Sequence, residues 1–157
     1  MTVKIRKPDN GDYTEVKKMI QSLHNLHQTN RPDIYVDREI PFSIDDFNKL
    51  IEEESSIVLL AEIEGEVIGI CMATIKEPSS NPILLSHNIA YIDDIYVENE
   101  HRGKGVGKML FTYIEEILAI KKIERIDLTV WTFNKDAISF YERLGMKPQR
   151  VIMEKKS

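Results

Sequence analysis

Apolar and polar positions follow two rhythms along this chain, and the places where the rhythm changes mark its elements. Val3 and Ile5 alternate with Lys4 and Arg6, which predicts a short half-buried strand ending before Pro8. From Asp12 the period lengthens: Tyr13, Val16, Ile20, Leu23 and His27 mark one helical face, closed by Asn30-Arg31-Pro32-Asp33. Residues 34–42, with Pro41, read as an ordered loop or extended segment. Ser43 with Asp46 three places on is a helix N-cap with an acid in the first turn, and Phe47, Leu50 and Ile51 are its apolar face. Ile57–Ile63 and Val67–Ile75 are apolar strands joined by Glu64-Gly65-Glu66, an antiparallel hairpin. After the turn at Ser79-Ser80-Asn81-Pro82, Ile89–Val97 is rich in β-branched and aromatic residues and predicts a strand.

A glycine-rich turn then leads into an amphipathic helix whose buried stripe is Val106, Leu110, Tyr113, Ile114, Ile117 and Leu118. Ile126–Val130 predicts another strand. Asn134 caps a last helix, with Ala137, Phe140, Tyr141 and Leu144 at helical spacing and Gly145 as its stop. Met146–Met153 predicts a final strand. The order β-α-α-β-β-β-α-β-α-β is a mixed α/β layer architecture.

Composition narrows the class. The 157 residues are 42% hydrophobic and 30% charged, the profile of one globular domain spanning 1–157. A net charge of −5 speaks against a nucleic-acid binder, whose footprint is basic. The single cysteine, Cys71, permits no internal disulfide and suits a reducing, cytoplasmic setting. Apolar runs such as Ile68–Ala73 are far too short to span a membrane, and the N-terminus does not read as a secretory signal.

The chemistry concentrates at Arg102-Gly103-Lys104-Gly105-Val106-Gly107-Lys108, between a strand and a helix. Glycines admit a close backbone approach, and the helix aims unpaired N–H groups and its positive end into the turn, where a phosphate is favoured. Arg102, Lys104 and Lys108 add positive charge. The spacing fits neither a P-loop, which needs four residues between its glycines and Ser/Thr after the lysine, nor the Gly-x-Gly-x-x-Gly dinucleotide fingerprint.

The hexapeptide Arg102–Gly107 has the Arg/Gln-x-x-Gly-x-Gly/Ala form of the GCN5-related N-acetyltransferases (GNAT). The strand Tyr91–Val97 and the segment Asn134–Gly145 resemble the same family, and the order of elements agrees across nearly the whole chain. The resemblance implies a GNAT-like acyl-CoA N-acyltransferase fold, acetyl-CoA as cosubstrate and no metal. It also implies acetyl transfer directly to a primary amine. By residue, it implies that the turn from Arg102 through Gly103, Lys104, Gly105 and Val106 to Gly107 holds the CoA pyrophosphate. Main-chain groups of Ile95, Tyr96 and Val97 would pair with the pantetheine arm, and Asn134 would give a cofactor hydrogen bond. Tyr141 would be the acid that protonates the leaving thiolate. Family members are often dimers, which makes a homodimer an open expectation here.

An alkylamine with a pKa near 10.4 is a free nucleophile in only about one molecule in a few thousand at pH 7, so the site needs a base. Asp93 is the first choice: strand parity puts it on one face with Ile95 and Val97. Polyamine acetyltransferases of the family carry a Glu-Asp pair here, matched by Asp93-Asp94, so Asp94 is expected to hold the substrate and Asp93 to take the proton, directly or through water. The glutamate that other members place on the fifth strand is Thr129 in this chain. The acceptor expected is a small cationic amine. Protein N-terminal or lysine acetylation and a non-catalytic CoA-binding regulatory module are the alternatives. Residues 29–42 and 77–88 are expected to wall the acceptor pocket, with Trp131 and Phe133 as wall or core cover. His24 and His27, at i, i+3, lack a third metal ligand and read as lining or surface residues. Cys71 reads as core packing.

Overall fold

Two long antiparallel strands, β2 (Ser56–Ile63) and β3 (Glu66–Lys76), form the centre of the molecule. Their connection is Glu64-Gly65, both at positive φ (51° and 83°), the pair of left-handed residues that a tight hairpin turn requires. The structure is a computed structural model and describes residues 2–157. β1 (Lys4–Arg6) pairs antiparallel with β2, β4 (Ile89–Val97) pairs antiparallel with β3, and β5 (Ile126–Leu128) pairs parallel with β4. The sheet order is β1-β2-β3-β4-β5. A parallel neighbour demands a crossover, and α3 (Val106–Ile120) supplies it between β4 and β5. α1 (Tyr13–Asn30) and α2 (Ile44–Glu52) lie between β1 and β2 in the chain, and α4 (Lys135–Arg143) follows β5.

Both faces of the sheet are covered, which is why β2 and β3 read as nearly continuous apolar runs instead of alternating ones. Leu59, Cys71, Ala73 and Ile92 pack under Leu110, Ile114 and Leu118 of α3. On the opposite face Val58, Leu60, Ile70 and Met72 pack under Val16 and Met19 of α1 and Phe47 of α2. The α2 cap forms as expected: the Asp46 N–H donates to Ser43 Oγ at 3.1 Å, and the Ser43 N–H donates to the Asp46 carboxylate at 2.9 Å.

Near the sheet edge, Arg6 joins three elements. Its guanidinium grips Asp12 with two hydrogen bonds of 2.8 and 2.9 Å and Glu62 with one of 2.6 Å. Asp12 is the one buried charged residue among those described, and Arg6 holds its carboxyl below the usual carboxylate range.

The expected final strand does not form. Met146 is tied to the last helix, its N–H bonding the Tyr141 carbonyl at 3.0 Å, but residues 147–157 run exposed without a sheet partner. β5 is also shorter than the expected Ile126–Val130. β5 is in register with β4 through three residue pairs only.

Candidate active site

The site begins with a parting of strands. β4 and β5 pair only through Ala90–Ile92 against Ile126–Leu128, so the edge of β4 from Asp93 to Val97 has no β5 partner. On its other side β4 stays paired with β3 but carries a bulge. Ala73 faces Ile92 and Met72 faces Asp94, which leaves Asp93 as the extra residue.

The bulge corrects one expectation. An inserted residue reverses strand parity, so Ile92 and Ile95, three apart, both pack on the α3 face. Asp93 does not share that face. It is exposed and accepts a 2.6 Å hydrogen bond from the hydroxyl of Thr74, which follows Met72 on the α1/α2 face.

Asp94 is half-buried, and burial, and after it the charge of Asp93, pushes its carboxyl up to about 6. Burial, Asp94 and Asp93 together push the Cys71 thiol up to about 12, so it stays protonated, and its side chain belongs to the core as expected. Tyr141 of α4 is half-buried against the same groups: burial first, then Cys71 and Asp94, raise its phenol well above the ordinary value. Asp94 therefore lies close enough to Tyr141 for its charge to raise the phenol. One is a carboxylate with raised basicity and the other a phenol that keeps its proton.

The glycine turn lies beyond the far end of β4. Gly103 and Gly105 take φ of +73° and +85°, and a Cβ on either would meet nothing within 4 Å, so both leave open space above the backbone. Gly107 has a different reason. A Cβ there would stand 3.0 Å from the Phe140 ring, so this glycine lets α4 pack on α3. Gly105 is the N-cap of α3, with no side-chain cap and no acid in the first turn, which leaves the first helical N–H groups facing the turn. Arg102 is partly engaged: its Nε donates to the Val97 carbonyl at 2.8 Å and its guanidinium lies 5.3 Å from the Tyr96 ring centre. Asn134 caps α4, its side-chain oxygen accepting from the Ala137 N–H at 3.2 Å, while its amide donors stay available.

An aromatic group, only partly foreseen, lies beside β5 and α1. Trp131 Nε1 donates to the Tyr35 hydroxyl at 3.0 Å, and Trp131 and Phe133 are stacked at 6.3 Å. His27 stacks on Tyr35 at 5.2 Å, and a ring nitrogen of His24 donates to the Val36 carbonyl at 2.7 Å. Burial, then His24, lowers the His27 pKa, so the imidazole is neutral at pH 7. The histidines thus serve packing and loop anchoring, and among the described residues no group of three or more His, Cys, Asp or Glu could hold a metal ion. Tyr35 and Val36, which make these contacts, belong to the 29–42 loop expected to wall the acceptor pocket. Residues 77–88 carry the exposed Ile83 and Leu85 and make no hydrogen bond to this cluster among the described residues. Thr74 and Tyr91 were not foreseen. Tyr91 pairs with Thr74 across the strands and donates to the Thr129 hydroxyl at 2.5 Å, contacts that only the β3–β4–β5 register creates.

Residues 20–146 match the model of the acetyltransferase (GNAT) family. The chain belongs to that family. It is 28% identical over 149 residues to thialysine N-epsilon-acetyltransferase of Sus scrofa, covering 93% of this chain and 85% of that protein. L-ornithine N5-acetyltransferase of Arabidopsis thaliana is 34% identical over 64 residues, 41% of this chain and 28% of that protein. A crystal structure of a mutant BH1408 protein from Bacillus halodurans superposes with a TM-score of 0.93 at 28% identity, over 98% of this chain and 99% of that one. The mixed α/β GNAT fold follows, with acetyltransferase activity in kind and acetyl-CoA as the cosubstrate that fold implies. The residues fit that cosubstrate: open space over two left-handed glycines, an uncapped helix N-terminus free of acids, and an unpaired strand edge leading to Tyr141.

Proposed function

We propose that this chain is a single-domain, acetyl-CoA-dependent N-acetyltransferase whose acceptor is a primary amine on a small cationic molecule. The observation that carries the reading is a half-buried Asp94 on the unpaired edge of β4, with no cation bonded to it among the described residues and Tyr141 near enough to feel its charge. A carboxylate kept out of water without a partner is costly, and an incoming ammonium group relieves that cost.

In this reading, backbone N–H groups of residues 102–107 and the charges of Arg102 and Lys104 hold the pyrophosphate. Main-chain groups of Ile95, Tyr96 and Val97 take the pantetheine arm as an added strand, and Asn134 donates to it. The bound thioester supplies the acetyl group. Asp94 accepts the proton from the ammonium nitrogen, which leaves a lone pair free to attack the thioester carbonyl; as the C–S bond breaks, the Tyr141 hydroxyl gives its proton to the departing sulfur and regains one from the excess proton on the new amide nitrogen. Asp93, exposed and steadied by Thr74, draws in and holds the cation. The two acids thus exchange the roles expected from strand parity. With a carboxyl near 6, Asp94 is about ten parts carboxylate to one part acid at pH 7.

An aromatic cluster of Tyr35, His27, Trp131 and Phe133 suits a small acceptor better than a peptide, which needs an open groove. The thialysine and ornithine acetyltransferases among its relatives favour an amine at the end of a short aliphatic arm. The test is thiol release from acetyl-CoA with thialysine, ornithine, a polyamine, an aminoglycoside and an N-terminal peptide as acceptors. Turnover is expected with the small amines; turnover confined to the peptide would overturn the acceptor class.

A further inference from the structure

Arg31 ends α1 and joins several parts of the chain at one guanidinium. As the C-cap of the helix its N–H donates to the His27 carbonyl at 2.7 Å, and its own carbonyl accepts from the Ile34 and Tyr35 N–H groups at 3.0 Å each. Its side chain grips Asp33 with two prongs of 3.0 and 2.9 Å and reaches Glu154 of the C-terminal segment at 2.9 Å. The guanidinium carbon stands 4.8 Å from the Trp131 ring centre. Exposed ion pairs contribute little singly, but a planar fork with two prongs on a carboxylate and an aromatic ring against its face is held by geometry as well as charge.

Trp131 is fixed by two further groups. Its Nε1 donates to the Tyr35 hydroxyl at 3.0 Å, and Phe133 stacks on the indole with 18° between the planes. Tyr35 leads back to Arg31 through its own N–H, and also through His27, on which its ring stacks. The contacts form a closed circuit, Arg31 to Trp131 to Tyr35 and back to Arg31.

The circuit connects to the acid pair. Ile126 and Leu128 of β5 pack on the α3 face, so alternation puts Thr129 on the opposite one, where its hydroxyl accepts from Tyr91 at 2.5 Å. Tyr91 is in register with Thr74, whose hydroxyl holds Asp93. Trp131 follows Thr129 by two residues and meets the end of α1. One run of contacts thus leads from Asp93 across the sheet to the aromatic groups that Arg31 secures.

We infer that Arg31 is a positioning residue for the acceptor: it holds Trp131 and Tyr35 as a fixed aromatic face along which the aliphatic arm of a small cationic amine lies, its ammonium group toward Asp93 and Asp94. The inference rests on the acetyl-transfer reading and adds the residue that sets affinity for the acceptor. Arg31 bonds neither acid of the site nor the glycine turn, so its loss leaves the proton steps and the cosubstrate site in place.

Thiol release by Arg31→Gln with thialysine, ornithine and a polyamine as acceptors tests it. The KM for each amine that the wild type turns over should rise about tenfold, while kcat and the KM for acetyl-CoA change less than about twofold. Arg31→Lys should behave like Arg31→Gln, because lysine keeps the charge and loses both the fork and the stack. Trp131 is the only tryptophan of the chain, so its fluorescence reads the circuit without any turnover. Acrylamide quenching should increase in both variants with an unchanged circular dichroism spectrum. Tyr35→Phe, a milder change, should raise the amine KM in the same direction, and its effect combined with Arg31→Gln should fall short of the product of the two. An amine KM unmoved by Arg31→Gln, a loss confined to kcat, a wild-type KM in Arg31→Lys, unchanged quenching, or fully multiplicative effects with Tyr35→Phe would each overturn this inference alone. A wild type that releases thiol with none of the amines would overturn the acetyl-transfer reading and this inference with it.

Discussion

Asp12 and Asp94 are both drawn into the protein, and their surroundings move them in opposite directions. Asp12 meets the two-pronged grip of Arg6, and its carboxyl is held below the ordinary range. Asp94 meets Asp93, Cys71 and Tyr141, none of them a cation, and its carboxyl is pushed up to about 6. The first arrangement ties β1, the start of α1 and β2 together. The second contributes nothing to the fold that an uncharged side chain would not contribute better. A charge left unpaired in a packed protein points to a substrate that brings the counter-charge.

Removing each acid's charge, or its partner, separates the two sites. Asp94→Asn keeps the shape and removes the base, so kcat/KM should fall about 10²–10³-fold in a thiol-release assay. Arg6→Ala acts on the other site: it strands Asp12 and Glu62 and should cost about 3 kcal/mol in denaturant unfolding, with kcat unchanged. That loss is largest above the unfolded carboxyl pKa near 3.9 and shrinks as pH falls through the lowered Asp12 value, because protonation removes the charge Arg6 was pairing. Tyr141→Phe should lower kcat about 10–100-fold while leaving the KM for acetyl-CoA nearly unchanged, since only the proton for the leaving sulfur is lost. An unchanged kcat across the pH range would eliminate Tyr141 as the acid.

The smallest effect is the most specific. Asp93 is the second cause, after burial, of the raised Asp94 carboxyl. Asp93→Asn should therefore shift the acid limb of kcat/KM to lower pH by a few tenths of a unit, alongside a weaker KM for the amine. A limb that stays in place would show that the acid limb belongs to another group.

Much of this architecture was legible in the chain. Period changes marked the helices and the long strands, Ser43 and Asn134 announced their caps, and the glycine turn announced the start of α3. Strand parity failed at Asp93 because a bulge inserts one residue without leaving a local signature, and that one residue takes Asp93 off the face of Ile92 and Ile95. Gly107 looked like a phosphate-loop glycine, but the Phe140 ring against it comes from a helix more than thirty residues away in the chain. Tyr35 had no periodic neighbours to mark it; it becomes a wall only because Trp131 and His27 converge on it in three dimensions. The strand expected at Met146–Met153 has the composition of a strand and no partner within its own chain.

The most direct measurement takes stability and turnover together on Asp94→Asn across pH. Because the folded carboxyl titrates near 6 and the unfolded one near 3.9, the wild type carries an unfavourable charge above pH 6 that protonation relieves as pH falls. Asp94→Asn should thus be about 1–2 kcal/mol more stable than wild type at pH 8, allowing for solvent screening of a partly exposed group, with the gain shrinking between pH 6 and 4. Turnover should be down about 10²–10³-fold at pH 8, where the wild-type carboxylate is ionised. A variant that keeps wild-type turnover, or that is less stable than wild type at pH 8, would contradict the account.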